Sequence, residues 1–255
     1  AGIEADIKTI SALGCYASVA ITAVTAQNTL GVRSICKVTP GVVADQIAAV
    51  MDDLHPQAIK VGMVNDAETI RAIATTLRRY PLPPMIIDPV MVSTSGSRLM
   101  EPDALSLFQA TLLPLSTLLT PNIPEAELLA GRPIHGLEDM KAAARQIQRM
   151  GPKAVLVKGG HGQGREKTDL LLIDGSFHTF SSATISTRNT HGTGCTLSSA
   201  IASFVARGQG ICEAVASAKA YLYEALRAGA DVSVGEGHGP VNHFYDPQPL
   251  ILTEQ

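Results

Sequence analysis

A chain of 255 residues that is 45% hydrophobic has enough apolar material for a sizeable core, as one large domain or two small ones. Its formal net charge of −3 leaves no basic footprint, which argues against nucleic acid as a partner. No apolar run approaches the ~20 residues of a membrane span and no signal-peptide pattern is visible. The four cysteines, Cys15, Cys36, Cys195 and Cys212, form no C-x-x-C pair, so zinc and a disulfide scaffold are disfavoured and reduced thiols in a cytoplasm are expected.

The chain opens on Ala1-Gly2-Ile3, without a methionine and almost directly in a helical pattern, so a preceding N-terminal piece is expected. A helix is predicted over Ile3 to Leu13, then a strand over Val19 to Val24, with a short extended segment over Arg33 to Val38. Val43, Ile47, Val50, Met51 and Leu54 mark a helix by their spacing. Ala58 to Val61 reads as a strand, Ala67 to Arg79 as a helix, Met85 to Ile87 as a strand and Ala104 to Leu112 as a helix. Thr117 to Leu119 is a strand, followed by helices near Glu125 to Leu129 and Met140 to Met150. Ala154 to Val157 is a strand. Leu170 to Ile173, turning at Asp174-Gly175 into Phe177 to Phe180, reads as a hairpin. Two helices close the chain, and the tail after Gly229 reads as irregular. Strand–helix alternation with nearly continuous apolar strands predicts an α/β fold with a parallel sheet covered on both faces.

In such sheets ligands bind beyond the carboxyl ends of the strands. Ala26-Gln27-Asn28 follows Val24, Gly62-Met63 follows Val61, and Asp88-Pro89 follows Ile87. Thr120-Pro121-Asn122-Ile123-Pro124-Glu125 follows Leu119, and Lys158-Gly159-Gly160-His161 follows Val157. These polar groups are expected to converge on one rim. Asp88 and Glu125 suit a hydrated Mg²⁺, which takes one or two carboxylates plus phosphate oxygens. Their plainer role is helix capping. Lys158 suits phosphate as a point charge, or is a solvated strand end. There is no G-x-x-x-x-G-K-[ST] and no G-x-G-x-x-G after a strand, which disfavours P-loop and dinucleotide folds. His161, His191, His238 and His243 lack metal-ligand spacing, and most read as surface or loop histidines.

Asn189-Thr190-His191-Gly192-Thr193-Gly194-Cys195-Thr196 precedes an apolar-periodic run of Leu197, Ala200, Ile201, Phe204 and Val205, so a helix starts at or just after Gly194. A helix start presents unpartnered amides and the positive end of the backbone dipole, and glycines ahead of it let a ligand come close. The combination suits an anion such as phosphate. Cys195, at that helix start, is expected to ionise readily and could accept a proton; the alternative is an ordinary buried thiol.

Taken together, Asn189 to Thr196, Asp88-Pro89-Val90-Met91, Thr120 to Glu125, Val157 to His161 and Ala26-Gln27-Asn28-Thr29 resemble the hydroxymethylpyrimidine/phosphomethylpyrimidine kinases of thiamine biosynthesis, a branch of the ribokinase-like superfamily. The resemblance runs over nearly the whole chain with the motifs in the family's order. It implies a single three-layer α/β/α ribokinase-like kinase domain over residues 1–255 with a mostly parallel central sheet, and a cytoplasmic homodimer. It implies two successive phosphorylations dependent on ATP and Mg²⁺, giving a pyrimidine monophosphate and then its diphosphate. Carried over, Asp6, Gln27, Gly62 and Met63 line the pyrimidine pocket, and Asp88 and Glu125 serve the metal. Asn122, Lys158, Thr190, Gly192 and Gly194 bind ATP. Gly192, Thr193, Gly194 and Cys195 form the anion hole, with Lys158 assisting. Sugar kinases of the superfamily carry an aspartate base where Cys195 stands. The family's G-S-D-x-S-G-G segment ahead of A-G-I is missing here, which again points to an incomplete start.

Two other readings compete. A pyridoxal or pyridoxine kinase shares the glycine turn, but the Gln27 carboxamide offers donor and acceptor together, matching an aminopyrimidine edge that pyridoxal lacks. A non-catalytic pyrimidine-binding protein on the same fold is the other. Retention of Asp88, Glu125, Lys158 and the Gly192–Cys195 turn argues against it.

Overall fold

In the computed structural model residues 1–64, 66–91, 100–160 and 166–251 are described. They divide into two compact units, one comprising Ala1–Ala58 with Ile185–Gln255 and the other Ile59–Thr184. The first unit begins with α1 (Ile3–Ala12), followed by the antiparallel strands β1 (Ala23–Asn28) and β2 (Gly31–Lys37) and by α2 (Pro40–Asp53). α2 starts on a proline, whose fixed φ and missing N–H suit the first helical position.

The expected strand over Val19 to Val24 differs from the one observed. Residues 14–21 are irregular, and the strand lies at Ala23–Asn28, in a separate two-stranded sheet rather than in the large one. The reason is local. Asn28 Oδ1 accepts from Leu30 N–H at 3.0 Å, which closes a tight turn and folds the chain back on itself as a ribbon. The apolar residues of Val19 to Val24 do not supply that turn.

The second unit holds β3 (Ile59–Val61), α3 (Ala67–Leu77), β4 (Met85–Ile87), α4 (Pro102–Thr111), β5 (Leu118–Leu119), α5 (Ile123–Ala130), α6 (Leu137–Gln148), β6 (Ala154–Val157), β7 (Glu166–Ile173) and β8 (Ser176–Ala183). The strand order is β3-β4-β5-β6-β7-β8. β3 to β6 run parallel, and β7 and β8 add antiparallel. Each parallel crossover steps one strand in the same direction. Right-handed crossovers therefore put α3, α4 and the α5–α6 pair on one face of the sheet, where α3 packs on α4 and α5 on α6. Every residue of β4 and β6 is buried, the pattern of strands covered on both faces. α6 buries Met140, Ala143, Ala144 and Ile147, a spacing that forms one helical stripe.

The first unit resumes with α7 (Thr193–Ala206) and α8 (Ile211–Gly229). α7 packs on both α1 and α8. Its small residues Ser198, Ser199, Ala200, Ala202 and Ser203 are buried, and three of them satisfy their hydroxyls by hydrogen bonds. The tail after α8 is irregular, as expected, but it is packed: Val241 and His243 are buried, and Asn242 N–H donates to Ala225 O at 3.0 Å.

A helix end leaves carbonyls without intrahelical donors. At the end of α8 the Asn189 amide supplies donors, giving N–H to Gly229 O and Val232 O at 2.7 Å each and lying 3.3 Å from Ala230 O. Asn189→Ala leaves the buried Gly229 carbonyl short of a donor, at a cost of about 1–3 kcal/mol. Thermal unfolding should occur a few degrees lower, on the order of 2–4 °C per kcal/mol for a chain of this size. An unchanged melting temperature would remove Asn189 from this role.

Candidate active site

Three adjacent parallel strands, β4, β5 and β6, bring a charged cluster together at their carboxyl ends. Asp88 follows β4 directly, Asn122 and Glu125 follow β5, and Lys158 follows β6. Asp88 is only 3% exposed and Glu125 6%. Lys158 Nζ donates to Asp88 Oδ1 at 2.7 Å, and the Thr120 hydroxyl donates to the same oxygen at 3.3 Å. The backbone follows the same lines: Asp88 N–H donates to Val61 O, Thr120 N–H to Ile87 O and Lys158 N–H to Pro121 O.

Asn122 and Glu125 form a reciprocal cap on α5. Asn122 Oδ1 accepts from Glu125 N–H and Glu125 Oε2 accepts from Asn122 N–H, both at 2.9 Å. The capping role weighed from the sequence for Glu125 is therefore present. It does not exhaust the residue. Burial pushes the Glu125 carboxyl up to about 7; the Lys158 charge opposes this, the Asp88 charge adds to it, and backbone N–H donors oppose it. Two buried acids facing one lysine leave an excess of negative charge. Among the described residues no group of three or more His, Cys, Asp or Glu is placed to hold a metal. Two carboxylates nonetheless match the donor set of a hydrated Mg²⁺ that completes its shell with phosphate oxygens, so the chemistry of the pair fits that ion.

Behind Lys158 the chain turns through Gly159. A Cβ at Gly159 would lie 1.9 Å from Thr168 O, so only glycine lets β6 pass so close to β7. Gly159 N–H donates to Asp169 Oδ1 at 2.8 Å, and Asp169 is buried. This carboxylate pins the turn that carries Lys158. The sequence reading missed it because the strand was expected to begin at Leu170, one residue later. His161 lies outside the described residues.

In the first unit α7 begins one residue before the expected position. Gly192 is its N-cap, with φ 83° and ψ 5°, a left-handed conformation that suits glycine. Thr196 N–H donates back to Gly192 O at 2.8 Å and Thr193 N–H to Thr190 O at 3.3 Å. Gly192 is buried, whereas Thr190, Thr193, Gly194 and Cys195 are half-buried. The first-turn amides of α7 thus start at a partly open surface, the arrangement that binds anions. Cys195 is half-buried and forms no disulfide.

The remaining candidates are held differently. Asp6, on α1, accepts from the Ser199 hydroxyl of α7 at 2.7 Å. Gln27 is exposed on the β1–β2 ribbon, while Gly62 and Met63 are half-buried just past β3. Thr120, quoted in the sequence pattern but given no role, touches Asp88. His243 was grouped with the other loop histidines, yet it is 6% exposed and bonded to Thr196. No spacing in the sequence signals that contact, which spans 47 residues.

Residues 1–242 match the profile of the phosphomethylpyrimidine kinase family. The chain is 50% identical over 246 residues to a hydroxymethylpyrimidine/phosphomethylpyrimidine kinase of Rhizobium meliloti (strain 1021), covering 96% of this chain and 92% of that protein. A solved phosphomethylpyrimidine kinase from Clostridium difficile 630 superposes with a TM-score of 0.80 at 43% identity, over 89% of this chain and 93% of that one. A pyridoxal kinase from Staphylococcus aureus, solved with AMP-PCP and pyridoxal, superposes with a TM-score of 0.86 at 31% identity, over 96% of this chain and 88% of that one. The expected α/β class with a mostly parallel sheet is the ribokinase-like fold of these relatives.

The raised Glu125 pKa makes stability depend on pH. An acid whose folded pKa lies above its usual value of 4.5 favours folding while it is protonated. That contribution is whole below about pH 4.5, fades as pH rises and is gone above about pH 7. Glu125→Gln keeps an acceptor for the Asn122 amide and carries no charge. Without divalent ions the variant should be more stable than the parent above pH 7, by on the order of 1–3 kcal/mol, and equal to it below pH 4.5. Added Mg²⁺ should raise the parent's melting temperature and leave the variant's nearly unmoved. Parallel pH–stability curves for the two proteins would rule this out.

Proposed function

The chain belongs to the phosphomethylpyrimidine kinase family, and on that premise we propose that it phosphorylates 4-amino-5-hydroxymethyl-2-methylpyrimidine with ATP and then phosphorylates the monophosphate to the diphosphate, in thiamine biosynthesis. The observation that carries this reading is the buried Asp88–Lys158 pair with Glu125 beside it, at the carboxyl ends of three parallel strands. Phosphoryl transfer needs positioning and neutralisation of charge more than covalent help from the protein. Lys158 supplies a point charge for the phosphates. Asp88 and Glu125 would hold Mg²⁺, which would offset charge on the phosphate oxygens. Asn122 and Thr190 border the nucleotide.

The Gly192, Thr193 and Gly194 segment, with its left-handed N-cap, directs first-turn amides at the charge on the transferred group. Asp6, Gln27, Gly62 and Met63 bind the pyrimidine. Gln27 presents a donor and an acceptor, the complement of an amino group beside a ring nitrogen. A homodimer fits the ribbon's exposed apolar residues Val24, Leu30 and Ile35. Four cysteines outside any disulfide fit a cytoplasmic setting.

Cys195 has a separable role. The first phosphorylation starts from an alcohol, whose proton must leave, and the Cys195 sulfur accepts it. The second starts from a phosphate oxygen that is already largely ionised near neutral pH and needs no base. Cys195→Ala keeps the amides in place. It should lower the first rate by roughly 10²–10⁴-fold and the second much less. Equal losses in both steps, read from single-substrate assays, would assign Cys195 to the shape of the anion hole instead. For substrate choice, Gln27→Leu removes paired hydrogen bonds at similar volume. Leaving a ligand group unpartnered costs about 1–3 kcal/mol, so activity on the pyrimidine should fall roughly 5- to 150-fold with little change in the KM for ATP. Unaltered pyrimidine kinetics would free Gln27 from this assignment and reopen pyridoxal as the substrate.

A further inference from the structure

α7 has an unusually polar buried side. Thr196, Ser198, Ser199 and Ser203 are all 2% exposed or less. Ser198 and Ser203 turn their hydroxyls onto α7's own carbonyls, and Ser199 donates to Asp6 on α1. Thr196 differs. It is the residue whose N–H closes the first turn onto Gly192 O, and its hydroxyl meets His243 Nε2 at 3.0 Å in a fully buried contact. A hydroxyl at this point of a helix usually bonds the helix's own carbonyls. Here it is held from outside.

His243 is itself anchored. The Tyr221 hydroxyl, on α8, donates to His243 O at 2.7 Å. Tyr221 is buried, with its ring 5.5 Å from that of Tyr245. On the residue before His243, Asn242 N–H donates to Ala225 O of α8. Val241 is buried as well. The irregular tail is thus fastened to α8 at successive residues, and its imidazole reaches across to the first turn of α7. Burial, and then the charge of Lys8, push His243 down to about 4, so the ring is neutral near pH 7 and one ring nitrogen donates while the other accepts.

We propose that His243 is a positioning residue for phosphoryl transfer: through its hydrogen bond to Thr196 it fixes the first turn of α7, and so the direction of the amides that follow Gly192. The inference rests on the role given above to those amides. It predicts an effect on turnover rather than on affinity, because a misaimed donor weakens the transition state more than the ground state.

The test is steady-state kinetics with hydroxymethylpyrimidine and ATP, together with thermal melts, on the parent, His243→Leu, His243→Gln, Thr196→Val and the His243→Leu/Thr196→Val double variant. His243→Leu and Thr196→Val should each lower kcat on the order of 10–100-fold. KM for either substrate should stay within roughly threefold. The double variant should be no slower than the worse single one, because both remove the same bond. His243→Gln, whose amide can reach the position of Nε2, should recover most of the rate. Thr196→Val keeps its shape and decides the matter alone if His243→Leu does not fold. Unchanged kcat in the single variants, additive losses in the double variant, or a Gln variant as slow as the Leu variant would each overturn the positioning role. A parent that phosphorylates no pyrimidine refutes the proposed function and this inference together, whereas an active parent with unaffected variants refutes this inference alone.

Discussion

Lys158 and Asp88 meet at 2.7 Å with side chains only 13% and 4% exposed. A pair so withdrawn from water loses hydration that its attraction only partly returns. It persists because the surroundings hold both ends. Thr120 donates to the carboxylate, and the strand ends are hydrogen-bonded in register, Asp88 to Val61, Thr120 to Ile87 and Lys158 to Pro121. Removing either partner would leave an uncompensated buried charge, so the sheet, the turns and the caps around this pair are constrained together. Glu125 adds a second acid beside the pair, and its pKa is raised first by burial and then by the Asp88 charge, against the pull of Lys158. A fold has little reason to keep such an arrangement except where a cationic ligand or a charged substrate relieves it.

The same economy governs local structure around the cluster. Gly159 passes Thr168 too closely for any side chain, and Asp169 takes its N–H. Asn122 and Glu125 use one pair of hydrogen bonds to start α5 and, through the same residues, to carry a carboxylate to the strand ends. The cap is formed in the structure, and the proposed function would add a metal-ligand role to the same Glu125 side chain. Only one carboxylate oxygen is engaged by the Asn122 amide.

In the first unit the constraint is backbone direction. A left-handed Gly192 and a closing bond from Thr196 define where α7 begins. Side chains from α1, α8 and the tail secure it through Ser199–Asp6, Tyr221–His243 and Thr196–His243. The hydrogen bonds that hold this helix in place come from three sequence regions far apart, a condition for a rigid donor array.

Much of this was legible in the sequence. The short apolar runs Met85–Ile87 and Ala154–Val157 became buried parallel strands, because a strand covered on both faces must be apolar at every position. The residues after those strands were identifiable as site candidates for the same reason, since strand polarity dictates which end is the carboxyl end. The glycine turn before α7 announced itself through helical spacing beyond it. The ribbon at Ala23–Asn28 was misplaced because an apolar run outweighed a turn made by one asparagine side chain. Tertiary structure alone decided which polar residues are partners. That Asp169 serves Gly159, that Thr120 serves Asp88 and that a buried His243 serves Thr196 depends on contacts 10, 32 and 47 residues apart, and a periodicity of 2 or 3.6 carries no information at that range. The sequence by itself determined the elements and their order, which follow from local pattern. The charge balance of the site was settled only by burial, which is a property of the packed chain.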